Sequence, residues 1–469
     1  MKKLYFLLSI IFGFSLNAQI INFSDANFKA RLLAANTGNA IAKGSFGNNI
    51  VVDTNGNGEI EVSEALNVYE LYFWSDFLST TNDIVNLDGI QSFINLKKLN
   101  CRGNSIINLD LQGLNNLEYI EAGKNNISSV NFSDLSSLKE INLNDNQLTS
   151  INIDNLISLT KLLIFSNQLQ SLTFNNNSAL ETVWCSKNLI TSLDFSTTPN
   201  LKVIMCNDNL LTSINLGVIN SIIELNCYKN KLSNLNISNL LNLTYFDFSS
   251  NQISTITFPI INNLFSLNIS DNPIPTINLN SLSKLNRFYA SNTLITDLDC
   301  SQTAVTQLFC SNNPNIQTIN TKNNVFTTSD PDLLNYGFVI ENNPQLLSIC
   351  VDEGEQNNLS FYKYNTSGNV IVYTGTTCSK IIVPSSMGNL NFESKNNSIV
   401  FPNPTNTILN ISTNDKIIVQ KAIIYNTLGQ LLKIINTSST IDVSELKAGT
   451  YFISIESENG KSTQKFIKF

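Results

Sequence analysis

Between positions 53 and 64 the chain reads Asp53-Thr54-Asn55-Gly56-Asn57-Gly58-Glu59-Ile60-Glu61-Val62-Ser63-Glu64. Carboxylates and amides crowd this stretch, and glycines permit a sharp turn within it. Oxygen donors packed this closely are the chemistry of a hard divalent cation. The competing reading is an Asx-rich turn that needs no ion. Elsewhere, chemistry is limited by what is missing. Histidine is absent from all 469 residues. That removes Ser-His-Asp and Cys-His nucleophilic sites, histidine general bases and histidine metal ligands. Catalysis by paired carboxylates survives in principle, but no Asp/Glu pair stands out by spacing.

The formal net charge is -8. A phosphate backbone needs a basic face, so nucleic acid is not an expected partner, and an anionic membrane surface is disfavoured for the same reason. The first residues read as an export signal over positions 1–18. Lys2 and Lys3 supply the positive start, the apolar run from Leu4 to Leu16 is too short to span a bilayer, and Ala18 precedes the cut before Gln19. No cysteine follows the signal, so no lipoprotein anchor is expected. No later stretch is apolar for long enough to form a membrane helix.

The elements that must position these residues come from a repeat. Asn104, Asn125, Asn146, Asn167, Asn188, Asn209, Asn230, Asn251 and Asn272 are spaced by 21 residues without a slip. Thr293 takes the next place, Asn313 follows one residue early, Asn82 precedes the series, and Asn343 closes it after an insertion. Around each asparagine runs L-x-x-L-x-(L/C)-x-x-N-x-L-x-x-(L/I)-x-(L/I/F), as in Leu138, Ile141, Leu143, Asn146, Leu148, Ile151 and Ile153. This pattern resembles the leucine-rich-repeat family in a short-repeat form, over residues 67–350. The resemblance implies an α/β-type solenoid with a parallel concave sheet, in which each asparagine amide bonds neighbouring backbone as a ladder through the core. Stacking is obligatory, because one coil cannot bury its own apolar residues. A parallel β-helix is the rival architecture; it would not require an asparagine at one fixed place per turn.

Eight cysteines are present. Cys101, Cys185, Cys206, Cys227 and Cys310 fall three residues before the ladder position, where Leu143, Ile164 and Ile269 stand in other coils. Cys300 matches Leu279 and Ile237. They read as small core hydrophobes; a metal or redox site along Cys185, Cys206 and Cys227 is the sharper alternative. Cys350 and Cys378 lie after the last recognised coil. In an exported protein they would form a disulfide sealing the solenoid's end, or else remain two thiols.

Caps are expected at both ends. Residues 19–66 make the N-terminal one, with an amphipathic helix from Ser24 to Leu33, capped by Ser24 or Asp25, turning Phe28, Leu32 and Leu33 to the first coil. The Asp53–Glu64 stretch resembles the EF-hand calcium loop. By that resemblance Asp53, Asn55 and Asn57 offer side-chain oxygens, Glu59 its backbone carbonyl, Glu61 a water-mediated contact and Glu64 a bidentate carboxylate. Gly58 would permit the turn and Ile60 would point inward. The bound calcium would be weak and structural. Residues 351–378 form the C-terminal cap.

Residues 379–396 are irregular and read as a linker. From 397 to 469 alternating strands suggest a small β-sandwich. Its motifs are Phe401-Pro402-Asn403-Pro404, Ile424-Tyr425-Asn426-Thr427-Leu428-Gly429-Gln430, Ile441-Asp442-Val443-Ser444-Glu445-Leu446, Ala448-Gly449-Thr450-Tyr451-Phe452 and the run Lys461 to Phe469. In this order they resemble the C-terminal sorting domain of type IX secretion cargo. That implies the type IX machinery as a partner, and a mature protein secreted or held at the outer cell surface.

Strand alternation places the residues two, four and six before the ladder position on the concave outside. Most are small or polar, among them Asn100, Arg102, Asn142, Asn144, Ser186, Asn226, Asp247, Ser249, Asn268 and Ser270. Leu163, Phe165, Trp184, Val203 and Met205 break the habit in three neighbouring coils, and Tyr228 and Tyr245 extend them. Such a patch marks an interaction site for a protein or a glycan; the plain alternative is scattered exposed apolar residues. The chain therefore reads as an extracellular or cell-surface binding or adhesion module and not an enzyme. The alternatives are a carbohydrate-active enzyme using two carboxylates and a surface-layer structural protein.

Overall fold

The computed structural model describes residues 19–74, 83–325, 337–353, 362–365, 371–373, 398–413, 419–426, 430–436, 440–457 and 460–469. The export signal, Asn82, Cys378 and the 379–396 linker lie outside them. The chain divides into two units, Met1–Lys380 and Ile381–Phe469.

In the first unit, three-residue strands recur once per coil. From Glu70–Tyr72 through Lys98–Asn100 and Tyr119–Glu121 to Gln307–Phe309, Phe338–Glu341 and Tyr362–Asn365, they pair in parallel along one long sheet. The three-residue strands bury their middle residue, such as Leu99, Ile141, Val183 or Phe246, and turn the two flanking side chains outward.

The asparagines decide where each strand stops. Asn125 Nδ2 donates to the Ala122 carbonyl at 3.1 Å in its own coil and to the Cys101 carbonyl at 3.0 Å in the coil before. Its Oδ1 accepts from Ile106 N at 3.0 Å in that preceding coil. Asn146, Asn167, Asn188, Asn209, Asn230, Asn251 and Asn272 repeat this three-way link. The expected ladder is present. At Thr293 the hydroxyl and the backbone N–H both donate to Asn313 Oδ1, at 2.8 and 2.7 Å, so the next coil's asparagine holds the shorter residue.

Forming the ladder requires a left-handed residue just before each asparagine. Gly103 lies at φ 74, but Lys124, Asp145, Ser166, Lys187, Asp208, Lys229, Ser250 and Asp271 occupy the same region at φ 53 to 56. Each of these costs roughly 1 kcal/mol relative to ordinary backbone, less than the loss of the amide's buried hydrogen bonds would cost.

The coils return without α-helices among the described residues. Among the described residues, α-helix is confined to Ala26–Leu33 and Val62–Ala65 in the N-terminal cap, with one 3-10 turn at Ile90–Ser92. The helical part of the α/β-type expectation therefore belongs to the cap. The physical reason lies in the return path, where buried residues such as Leu109 and Leu111 alternate with exposed ones. Period two makes strands, and short parallel pairs form there, such as Asn108–Asp110 with Ser129–Asn131. The stacking also runs past residue 350: Phe338–Glu341 pairs with Tyr362–Asn365, and Ser348–Cys350 with Ile371–Tyr373. One more coil thus lies within the stretch assigned to the C-terminal cap. Cys350 is buried and disulfide-bonded; its expected partner Cys378 lies outside the described residues.

At the other end Asp25, not Ser24, caps the first helix, accepting from Asn27 N at 2.8 Å and Phe28 N at 3.0 Å. Its second oxygen accepts from Val85 N at 2.6 Å and Asn86 N at 3.2 Å, tying the cap to the first coil. Phe28 and Leu32 are fully buried, and Leu33 packs against the same core. In the second unit, a three-stranded antiparallel sheet (Ser398–Phe401, Ile408–Thr413, Thr440–Asp442) and a four-stranded one (Leu431–Asn436, Val419–Asn426, Gly449–Ser457, Gly460–Lys468) share one core. Leu409 and Ile441 meet Ile424, Ile453 and Phe466 within it, which is the expected β-sandwich.

Burial raises the Asp25 pKa, but four backbone N–H donors outweigh it, and the net shift is downward. A depressed carboxylate stabilises the fold above its unfolded pKa and loses that contribution as pH falls through the folded one. Asp25→Asn turns an amide NH₂ toward donors, and the expected cost is about 1–3 kcal/mol near neutral pH. The deficit should shrink below about pH 4; a pH series of thermal midpoints for both chains checks this.

Candidate functional site

Parallel register converts the sequence patch into a surface. Leu163, Trp184 and Met205 are direct neighbours in one row of the concave sheet. Val203 lies in the adjacent row between Thr182 and Glu224, and Tyr245 follows Glu224. The Phe165 and Trp184 rings meet at 6.3 Å. Trp184 is 38% exposed and Tyr245 46%; Leu163, Phe165, Val203, Met205 and Tyr228 are half-buried. Tyr228 points its hydroxyl at Asp208, and that hydrogen bond, with burial, raises the phenol's pKa.

Two residues expected in solvent are buried instead. Asn144 and Ser249 are 2% and 7% exposed. Their row lies at the strand's end, where the backbone is already turning. Asn144 lies over Gly123, where a Cβ would come 2.4 Å from Asn144 Oδ1, so any larger residue there would displace the amide.

The amino-terminal half of the concave face is charged and internally neutralised. Glu70 lies 3.3 Å from Lys98 and 3.7 Å from Lys43, Glu118 lies 2.6 Å from Lys139, and Arg102 lies 3.2 Å from Glu121. Lys161 reaches Glu140 at 3.7 Å and Lys202 reaches Glu181 at 2.8 Å. Exposed pairs contribute only about 0–1 kcal/mol each, so their main effect is on which partners the surface tolerates.

A second aromatic group went unrecognised in the sequence. Tyr245 meets Phe265 at 6.2 Å, the Arg287 guanidinium lies 5.3 Å from the Phe265 ring centre, and Tyr289 stacks on Phe309 at 4.8 Å and 8°. The alternation rule that found Trp184, applied to strands 287–289 and 307–309, would have found Tyr289 and Phe309 too.

The Asp53–Glu64 loop folds as a tight turn. Gly58 lies at φ 79 and donates its N–H to Asp53 Oδ2 at 2.9 Å, while Ile60 is fully buried. Glu64 accepts from Thr54 N at 2.7 Å, Thr54 Oγ1 at 2.8 Å and Glu61 N at 3.1 Å. Asn55 and Asn57 donate their amides to Glu61 at 3.1 and 2.8 Å, and Glu59 pairs with Lys29 at 2.7 Å. Among the described residues, no three acidic, cysteine or histidine side chains gather to hold a metal ion. The loop's donors fit a hard cation in kind, yet an ion would have to displace the hydrogen bonds that now satisfy them.

Cys101, Cys185, Cys206, Cys227, Cys300 and Cys310 are free and fully buried. Burial pushes the Cys101, Cys185 and Cys310 thiols up to about 12 and the Cys206, Cys227 and Cys300 thiols well up. Thiolate chemistry is thereby suppressed.

Comparison with known proteins places both units. Residues 399–469 match the family model of the secretion system C-terminal sorting domain. The chain carries a sorting domain. It directs the protein to secretion or to the outer cell surface, and no helix among the described residues is long and apolar enough to cross a membrane. No curated protein sequence matches the chain. Among solved structures, an internalin (InlF) of Listeria monocytogenes is similar at a TM-score of 0.53 and 18% identity, over 76% of this chain and 96% of that one. The functional domain of InlJ from the same organism, described as including a cysteine ladder, gives 0.47 and 20% over 88% and 93%. A leucine-rich-repeat protein of Leptospira interrogans gives 0.44 and 19% over 61% and 81%. The InlF likeness confirms a leucine-rich-repeat-like solenoid fold.

The sorting domain's motif residues fasten its ends. Asn403 donates its amide to the Lys465 carbonyl and accepts from Ile467 N, both at 2.9 Å. Tyr451 donates its hydroxyl to the Lys447 carbonyl at 2.7 Å. Asn403 of the Phe401-Pro402-Asn403-Pro404 motif is thus a side-chain clasp on the last strand.

In the native chain the six coil cysteines should be inert to Ellman's reagent, and all six should react after unfolding in guanidinium. A native coil thiol that reacts within minutes would contradict their role as packing.

Proposed function

We propose that the protein is an exported recognition module. Its concave face, centred on Leu163, Phe165, Trp184, Val203, Met205, Tyr228 and Tyr245, binds a protein or glycan at the outer cell surface or beyond it. The observation that carries this reading is Trp184, half in solvent on a rigid strand, with Phe165, Leu163 and Met205 packed around it in register. An exposed tryptophan among apolar neighbours gains most from being covered. Glu118, whose carboxyl the Lys139 ammonium holds below its ordinary pKa, would serve poorly as a general acid, which supports binding over hydrolysis.

The test is the double variant Trp184→Ser with Phe165→Ser, compared with the wild type on a glycan array and in pull-downs with the mature form. Losing a tryptophan anchor costs about 2 kcal/mol or more of binding, a fall of ~30-fold, while the thermal midpoint should hardly move. Unaltered binding to every captured ligand would end the proposal.

We also propose that the Asp53–Glu64 loop takes calcium as a structural ion, through Asp53, Asn55, Asn57, the Glu59 carbonyl, Glu61 and Glu64. The glycine turn with its N–H on Asp53 and the buried Ile60 support it. Adding calcium at about 0.1–1 mM should raise the thermal midpoint of the wild type and leave Glu64→Gln unmoved. An identical response from both chains would show that the loop is a plain turn.

A further inference from the structure

Along the concave face, ion pairs follow the repeat. In one row Glu70 pairs with Lys98 and Glu140 with Lys161, each lysine in register on the next strand; Glu118 with Lys139 and Glu181 with Lys202 repeat the arrangement one residue earlier in their coils. Glu224 is the next glutamate of that first row, but the residue one coil on is Tyr245 and the residue one coil back is Val203. Among the described residues Glu224 has no ion pair and no hydrogen bond to its carboxylate. It is half-buried, and burial raises its pKa with no opposing contribution. An uncompensated, partly desolvated charge costs free energy in the isolated chain. This one is flanked by apolar and aromatic side chains at the edge of the recognition patch.

We propose that the gap beside Glu224 receives a lysine or arginine side chain of a protein partner. The partner's cation pairs with Glu224, and its aliphatic stem lies between Val203 and Tyr245. The assignment rests on the reading of the patch as a binding surface, and names the partner's chemistry. Charge complementarity selects this occupant: the place left empty, on the next strand of the same row, is the one that Lys98 fills for Glu70 and Lys161 fills for Glu140. Asp247, on the strand after Glu224, adds a second carboxylate to the adjacent row. The face itself shows how a cation sits on it, for two coils beyond Tyr245 the Arg287 guanidinium rests 5.3 Å from the Phe265 ring. A neutral glycan would stack on Trp184 and Tyr245 but would leave Glu224 uncompensated.

The experiment pans a random 12-residue phage-displayed peptide library on the full chain, on Glu224→Gln, and on the Trp184→Ser, Phe165→Ser double variant. Peptides retained by the wild type should carry lysine or arginine beside an aromatic or leucine residue, and this enrichment should vanish on Glu224→Gln. A synthetic copy of one selected peptide, followed by fluorescence polarisation, should lose about tenfold or more in affinity on Glu224→Gln. It should lose the same when its basic residue becomes Gln, and the two changes together should not add. Recovery without basic enrichment, an affinity indifferent to Glu224→Gln, or no recovery at all overturns the assignment. Peptides that bind the double variant as well as the wild type would instead show that the patch reading has failed. The Glu224→Gln midpoint should equal or exceed the wild type's; a fall would reveal an internal partner and also overturn the assignment.

Discussion

A single asparagine amide, buried between two turns of chain, sets the geometry of the solenoid. Nδ2 reaches a carbonyl in its own coil and one in the coil before, and Oδ1 takes an N–H from that same earlier coil. No other uncharged side chain of that length supplies two donors and an acceptor from one planar group except by adding a methylene. Because the amide spans both coils, the distance between successive asparagines is fixed. What is fixed is the distance in space and not the number of residues between: Asn343 follows Asn313 after a longer spacing, yet its Oδ1 still accepts from Asn313 N at 2.9 Å and its Nδ2 donates to the Cys310 carbonyl at 2.8 Å.

Fixing the coil fixes the concave surface. Strands stacked about 4.8 Å apart put residues 21 apart side by side, so the face is a grid whose columns are read directly from the repeat. Along that grid, charged and mutually compensated rows give way to Leu163, Trp184 and Met205 and then to the Tyr245, Phe265 and Tyr289 group. The interior, by contrast, is uniform. At the position three before the ladder residue leucine, isoleucine, cysteine, alanine and phenylalanine exchange, as in Leu143, Ile164, Cys185, Ala122 and Phe248, and all of these are buried. From coil to coil the outer columns differ in chemistry while the inner ones stay apolar, because stacked coils must share one core.

How much of this was legible follows from the same logic. The ladder, the inward cysteines and the exposed Trp184 all depend on periodicity alone, which a sequence shows. The left-handed residues do not announce themselves: Lys187, Ser166 and Asp208 are ordinary residues holding an uncommon conformation because the amide beside them demands it. The helix-free return was hidden behind a family expectation, although Leu109 and Leu111 already alternate with polar residues. Asn144 and Ser249 were misplaced because their row lies where the strand ends and the backbone turns, which alternation alone does not show. The isolation of Glu224 also needs register, since only the pairing shows that its neighbours are Val203 and Tyr245.

The near-constant coil length has a mechanical consequence. A protein anchored at one end and gripped at the other would be loaded along the stack, where coils meet through short strands and one amide. Peeling one 21-residue coil would release a chain length of roughly 70 Å at about 3.4 Å per residue. Successive coils are so alike that rupture would proceed in nearly equal steps. Such a body would lengthen stepwise under load instead of parting in one event.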